Sequence, residues 1–391
     1  MLHYAVTPNI KAVFPVLGLS IFSSMLGLGI IAPLLPIYAE NLGASGFWVG
    51  VIFAGYAISR TILQPFAGRL SDRRGKKLVM SIGLFIFALS SFAYVLADSV
   101  AVLLVIRLLQ GAAASMIQPM AQAYLGDITP AGEEGKWMGI LNTTFFAGWG
   151  GGPLMGGLLA QYFGMDAAFY AMGGLNCLAF IGVARFLPEI PRRRRTPEER
   201  SSFREAIASR RARGLFSLNM GISGSRAIVL SFLPLFGAMF LGLRPSLIGT
   251  ILTVVVIGAA VIQLYTGRLA DRFNRRLIVV TGGLGIVLAM ALVPSAGGFW
   301  PLLVFLAIST CADGVALPSA TAMVVDEGRK YGMGMAMAVF SMGMGAGQSI
   351  APILAGAIVD WLGVRAAFYF SAVFVVLCTL AFVLFTRRSS R

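Results

Sequence analysis

The chain of 391 residues is 58% hydrophobic and only 12% charged, with a mean hydropathy of +0.84. A soluble domain carries about 25% charged residues, so this composition excludes a water-covered fold and predicts an integral membrane protein. One histidine, His3, and three cysteines in apolar runs (Cys177, Cys311 and Cys378) argue against a His/Cys metal site, a disulfide framework or a haem crevice; no cofactor or metal is expected. The formal net charge of +15 would suit nucleic acid, unless membrane topology accounts for it.

A helix needs about 20 apolar residues to cross the hydrocarbon layer. Windows of that length predict spans at 12–37, 47–68, 77–97, 99–125, 136–161, 167–187, 214–240, 246–267, 277–296, 299–325, 333–359 and 366–386. The first run holds Pro15, Pro33 and Pro36 and lacks a small-residue cleavage site, so it reads as a retained span. Helices close their own backbone hydrogen bonds in lipid, and the fold class is an all-α membrane protein. One set of loops carries Lys11, the run from Arg69 to Lys77, Lys136, the 192–213 stretch, Arg268 to Arg276, Arg329, Lys330 and the 387–391 tail; the opposite loops carry Arg244 and Arg365. That bias predicts cytoplasmic termini. It accounts for the +15, so lipid is an expected partner and nucleic acid is not.

Residues 188–213 read as a charged linker. Arg192 to Arg195 lie where each cation near anionic lipid is worth about 1 kcal/mol. Thr196-Pro197-Glu198-Glu199 offers an N-cap, a first-turn proline and a capping-box glutamate, which predicts a short surface helix to about Arg213. The stretch is a solvated tether on this reading.

Shifted by 199 residues, the sequence falls on itself. Gly68-Arg69-Leu70-Ser71-Asp72-Arg73 meets Gly267-Arg268-Leu269-Ala270-Asp271-Arg272; Asp127 meets Asp326, Pro153 meets Pro352, and Ala167 to Tyr170 meet Ala366 to Tyr369. One constant offset over some 100 residues predicts two parallel six-helix halves, 1–187 and 214–391. Such halves around a midplane site are a plan of alternating-access carriers.

The stretch Gly68 to Lys77 resembles motif A of the major facilitator superfamily, and the resemblance covers the whole chain. It implies twelve transmembrane helices in two pseudo-symmetric six-helix bundles. It also implies a gate built from Gly68, Asp72, Arg73, Gly75, Lys76 and Asp127, with Asp271, Arg275 and Asp326 as the second-half members. In that gate Asp72 meets the start of span 11 near Gly332 and Gly334, where an anion suits the helix dipole, and Lys76 pairs with Asp127. Asn274 departs from the pattern, which has glycine there. Arg107 to Gly111 is similar to motif B, and for Arg107 two readings stay open: a helix-helix anchor, or the family's part in proton transfer. On span 5, Gly148, Gly152, Pro153, Gly156 and Gly157 match motif C. Glycines at that spacing let helices approach closely, proline kinks the helix, and the resemblance ties the motif to the 12-span drug:proton antiporter branch. Pro33 and Pro36 are similar to that branch too. The resemblance and the short loops place the chain in a bacterial inner membrane, as a monomer.

At depth the sequence leaves Arg60, Arg107, Arg226 and Asp313. Each costs roughly 2.5–3.5 kcal/mol at a helix centre, so they should face a wet cavity or each other. Asp313 is the carboxylate nearest the middle of a span. Desolvation favours the neutral acid and a nearby arginine favours the carboxylate, so a change in solvent access loads and releases a proton. Asp313 is therefore the expected proton carrier, tuned by Arg226 or Arg107; a fixed Asp–Arg tie between helices is the alternative. With arginines outnumbering acids, a purely cationic cargo is not expected; the expected cargo is anionic, zwitterionic or neutral-amphipathic, met by Arg60 and Arg226 unless Arg60 is a gate residue. Tyr56, Tyr124, Gln118, Gln122 and Asn142 are candidate cavity lining, as are Phe145, Phe146, Trp149 and Gln348; helix packing is the competing account of each. The function expected is proton-coupled export of a small molecule, against a metabolite importer or facilitator, or a carrier-like sensor or lipid handler. No nucleophile–base pair or phosphate loop suggests an enzyme.

Overall fold

A computed structural model of the chain describes residues 9–130, 132–190, 209–272, 274–331 and 333–386, with the side chains of 264, 265, 267–272, 329–331, 333 and 334 left aside. Those residues are almost wholly helical. In chain order the helices are α1 Ile10–Ile31, α2 Leu35–Asn41, α3 Gly46–Arg74, α4 Lys76–Ala93, α5 Val100–Ile128, α6 Glu134–Phe163, α7 Met165–Phe186, α8 Arg210–Leu241, α9 Pro245–Arg272, α10 Arg275–Leu292, α11 Phe299–Tyr331, α12 Met333–Leu362 and α13 Arg365–Thr386. All but the seven-residue α2 correspond to a predicted span. Eleven are long and apolar enough to cross a membrane. The twelfth, α6, is 30 residues long, and Glu134, Lys136, Asn142 and Gln161 dilute its apolar run. The predicted surface helix after Thr196, with Arg192 to Arg195, lies outside the described residues; α8 starts at Arg210 with Ser209 as its N-cap.

The expected first span is broken. α1 ends at Ile31, and Pro33 and Pro36 sit on either side of the restart at Leu35; a proline ring clashes with the preceding turn and removes a donor. Turn chemistry follows the repeat only in part. Gly164 and Gly363, one repeat apart, hold φ of 87° and 79°, a region that costs other residues a Cβ clash. Gly75 does the same between α3 and α4, at φ 95°. Asn274, in the corresponding place, keeps φ −63° and caps α10 by accepting from the Arg276 N–H, which is how this turn does without glycine.

By packing, the chain falls into two units. One holds the residues up to Leu35 and those from Gly55 through α7; the other holds Pro36–Ala54 and α8 to α13. In the first, α1 packs on α6 and α4 packs on α5 and α7. In the second, α8 packs on α12 and α13, and α11 packs on α9 and α10. Phe85, Leu89, Leu377 and Leu384 are exposed, as side chains facing lipid are. Lipid tails are as apolar as leucine, so close backbone approach and polar contacts hold such helices together. Motif C supplies the approach: a Cβ on Gly148, Gly152 or Gly156 would stand 2.6, 2.6 or 2.2 Å from backbone atoms of α1. In the second unit Gly343 and Gly347 bring α12 equally close to α8, at 2.4 and 2.2 Å.

Candidate functional site

In the second unit, Arg226 of α8 meets Asp313 of α11. Arg226 Nε donates to Asp313 Oδ2 at 2.6 Å, and Nη2 approaches the same oxygen. Asp313 Oδ1 is buried and without a hydrogen-bond partner among the described residues. The two side chains differ in access: 32% of Arg226 is exposed against 9% of Asp313. The carboxylate is thus held on one oxygen by a partly exposed cation, while its other oxygen meets no hydrogen-bond donor among the described residues. Cys311, two residues away on α11, is exposed; successive residues on a helix turn by about 100°, so Asp313 points into the unit and Cys311 away from it. The repeat does not explain the pair, because the first-half counterparts are Gly27 and Ala114.

The first unit has its own buried polar group. Arg107 is 3% exposed, its Nη1 donates to Gln110 Oε1 at 3.2 Å, and its guanidinium lies 4.7 Å from the Tyr56 ring centre. Tyr94 donates to the same Gln110 oxygen at 2.7 Å. A cation over an aromatic face is stabilised by roughly 0.5–2 kcal/mol. All four residues are apolar or smaller in the second half: Val255, Val293, Leu306 and Ser309. Each half has therefore kept a different arginine site. Tyr56, an expected cavity residue, is buried here as packing for Arg107. Tyr124 is buried too and donates to the Pro188 carbonyl at 2.6 Å.

Other candidates are more open. Arg60 Nη2 donates to Gln118 Oε1 at 2.8 Å, joining α3 to α5. On α6, Phe145 meets Phe146 edge to face and Trp149 at a tilt, with centroids 5.3 and 6.0 Å apart, and Asn142 is exposed one turn earlier. Gln122 and Gln348 are half-buried.

Beside the α3–α4 turn, Lys76 Nζ meets the Asp127 carboxylate. Asp72 and Glu189 join them around a polar notch of about 70 Å³. About a quarter of each partner is exposed, and pairs of that kind contribute about 0–1 kcal/mol, weak enough to break and reform. In the second unit Asp326 receives Arg275 at 2.9 Å and Arg211 at 3.4 Å. Glu327, which the sequence reading passed over, is buried beside them and accepts from Ser209 at 2.7 Å. Its counterpart Ile128 is apolar, so the repeat hides it. Asp271 and Gly332 lie outside the described side chains; Asp72, Arg73 and Arg74 are exposed.

A family model described as Major Facilitator Superfamily matches residues 17–244 and 215–391. The chain belongs to that superfamily. It is 30% identical over 373 residues to an MFS-type transporter of Methanocaldococcus jannaschii, covering 94% of this chain and 96% of the relative. The quinolone resistance protein NorA of Staphylococcus aureus is 27% identical over 361 residues, with 90% of each chain covered. Among solved structures, a bacterial homolog of the human lysosomal transporter Spinster superposes at a TM-score of 0.84 and 16% identity over 98% of both chains. The nucleoside transporter NupG superposes at 0.81 and 16%, over 97% of this chain and all of that one. As a superfamily member the chain is a multi-pass membrane transporter of small molecules and not an enzyme.

Proposed function

We propose that this transporter is a proton-coupled exporter of a small amphipathic molecule, working by alternating access in a cell inner membrane with both termini cytoplasmic. The observation that carries the proposal is the Arg226–Asp313 pair: a buried carboxylate with one oxygen that meets no donor among the described residues, held by a partly exposed arginine. Kinship with a protein named for quinolone resistance supports the outward direction, and motif C, present and tightly packed, supports it too. The half-buried Phe145, Phe146 and Trp149 cluster suits an apolar cargo surface, with Arg60 and Gln118 as polar contacts. Arg107 enters as a fixed positive charge of the first unit, buried under Tyr56.

Linkage fixes the cargo's relation to the proton. Exchange requires that cargo and proton exclude one another on Asp313. A cargo that engages the pair while Asp313 is charged, by its own cationic group or by lying against the intact pair, is expelled when a proton neutralises the carboxylate. A simple anion does the opposite: it draws Arg226 away and leaves Asp313 to protonate, so anion and proton travel together. The proposed exporter therefore takes an amphipathic cargo with a cationic or neutral polar end, with any acidic group secondary. The openness of Arg226 favours the second reading, an anion–proton cotransporter.

The two readings differ in the sign of one measurement. Cargo affinity measured in detergent across pH 5 to 9 should rise with pH for the exporter, because the deprotonated carboxylate binds cargo. An affinity that falls as pH rises assigns the chain to cotransport. The compounds should span cationic, neutral and anionic classes.

A further inference from the structure

We infer that Glu327 is a second proton station, which takes the proton from Asp313 and hands it to cytoplasmic water; this rests on the proton-coupled export proposed above, in which the proton must leave on that side. Glu327 is 4% exposed, and its Oε1 accepts from Ser209 Oγ at 2.7 Å. Its Oε2 is buried and without a hydrogen-bond partner among the described residues. Arg211 Nε stands 3.9 Å from that oxygen, beyond hydrogen-bond length. The other charged groups described around it are Asp326, its neighbour on α11, and Arg275 of α10, which meets Asp326. A buried oxygen left without a donor asks for a proton or a water molecule. Against Glu327 lies a cavity of about 10 Å³, walled by Ala212 and Leu215 of α8 and by Ala336 and Phe340 of α12, which is room for one water.

The same unit ties this end to Asp313. Fourteen residues separate the two acids on α11, about 21 Å along the axis and within about 40° of one face. Between them that face carries Ala316, Ala320 and Val324, all buried, so α11 itself offers a proton nothing polar. The facing side of α8 does. Arg226, Ser223, Asn219, Ala212 and Ser209 follow one another at three, four, seven and three residues, which keeps them on one side of the helix. Ser223 Oγ donates to Asn219 Oδ1 at 3.3 Å, and Asn219 Nδ2 donates to the Phe340 carbonyl at 2.8 Å. Phe340 is in turn a wall of the cavity at Glu327. Polar groups thus lead from the Arg226–Asp313 pair to that cavity, and Glu327 leads on to Ser209 at the start of α8. An amide passes no proton itself, so this side of α8 lines a file of water when the carrier opens to the cytoplasm. One proton then leaves Asp313, which regains its charged pairing with Arg226. It arrives at Glu327 Oε2, and the neutral acid yields it to water beyond Ser209. The first-half counterparts of Asp313, Glu327 and Ser209 are Ala114, Ile128 and Ile10, so both acids and the serine occur together in one half alone. Anchoring α8 accounts for one oxygen of Glu327, and a neutral amide would serve Ser209 as well.

Time-resolved infrared spectroscopy tests this on the full chain, in sealed vesicles with the cytoplasmic face outward, after an upward pH jump outside. Glu327→Gln keeps an acceptor for Ser209 and should fold as the wild type does. The carboxylic acid band assigned to Asp313 by its loss in Asp313→Asn should decay about tenfold or more slowly in Glu327→Gln, as expected when a positioned proton acceptor is removed. Glu327→Asp should restore most of the rate. Raising a membrane-impermeant buffer at fixed pH and ionic strength should speed the decay in Glu327→Gln and leave the wild type unchanged, a response that an anchoring role does not produce. An Asp313 band that decays within twofold of the wild-type rate in Glu327→Gln overturns the station and leaves proton coupling standing. A wild-type protein in which Asp313 shows no titrating band overturns the coupled reading itself, and the station with it.

Discussion

Asp313→Asn should abolish gradient-driven transport while leaving a folded protein that still exchanges cargo across the membrane. The expected fall in uptake driven by a pH gradient is about 100-fold or more, equivalent to ~2.7 kcal/mol, and counterflow without a gradient should survive within a few fold. The asymmetry of the pair explains why folding survives. Neutralising Asp313 leaves Arg226, whose side chain is 32% exposed and can be hydrated. Removing the arginine is the harsher change: Arg226→Met strands a carboxylate that is 9% exposed, and breaking a buried pair from one side costs roughly 3–5 kcal/mol. That variant should fold poorly, or fold with Asp313 protonated and transport insensitive to pH. Uptake by Asp313→Asn that still follows the gradient would assign the pair to scaffolding.

The second large effect is structural and belongs to motif C. A Cβ at Gly156 would stand 2.2 Å from the Ile30 carbonyl oxygen, and its nearest neighbours are all backbone atoms, which cannot rotate out of the way. Overpacking a core commonly costs 1–3 kcal/mol, and against a rigid backbone Gly156→Leu should cost about 3 kcal/mol or more. It should show as lost monodisperse protein on size-exclusion chromatography. Gly151 provides the contrast five residues earlier on the same helix, since its nearest non-local neighbour is a leucine methyl at 3.9 Å. Gly151→Ala should be neutral, or stabilising by up to about 1 kcal/mol through helix propensity. Equal tolerance at both positions would contradict the account of the α1–α6 seam.

Most of the scaffold is legible in the sequence because the membrane imposes one length and one polarity on every span. The predicted 366–386 and the observed Arg365–Thr386 differ by a residue. Where local chemistry competes with hydropathy the reading loosens. The first span runs on to 37 in the hydropathy pattern, yet Pro33 and Pro36 divide it into α1 and α2. The ionisable groups at depth are legible as residue types, since Arg226 and Asp313 stand out in apolar runs. Which arginine Asp313 meets, Arg226 or Arg107, is not, because the choice depends on α8 and α11 coming together from 87 residues apart. The partners of Arg107 show a graded case: Gln110 lies one turn along the same helix and follows from spacing, whereas Tyr94 comes from another element. For Tyr56 the sequence leaves cavity lining and helix packing both open, and its burial under Arg107 is a matter of side-chain packing that no periodicity encodes. Glu327 escaped because the repeat, the strongest organising signal, has Ile128 in its place.

The proton is the centre of this account, and its movement can be watched. Purified wild-type protein in sealed vesicles with an acidic interior and a trapped pH-sensitive dye should release protons when a transported cargo is added outside. The release should be saturable in cargo and absent in Asp313→Asn vesicles. Saturable cargo uptake with the internal pH unmoved would contradict it.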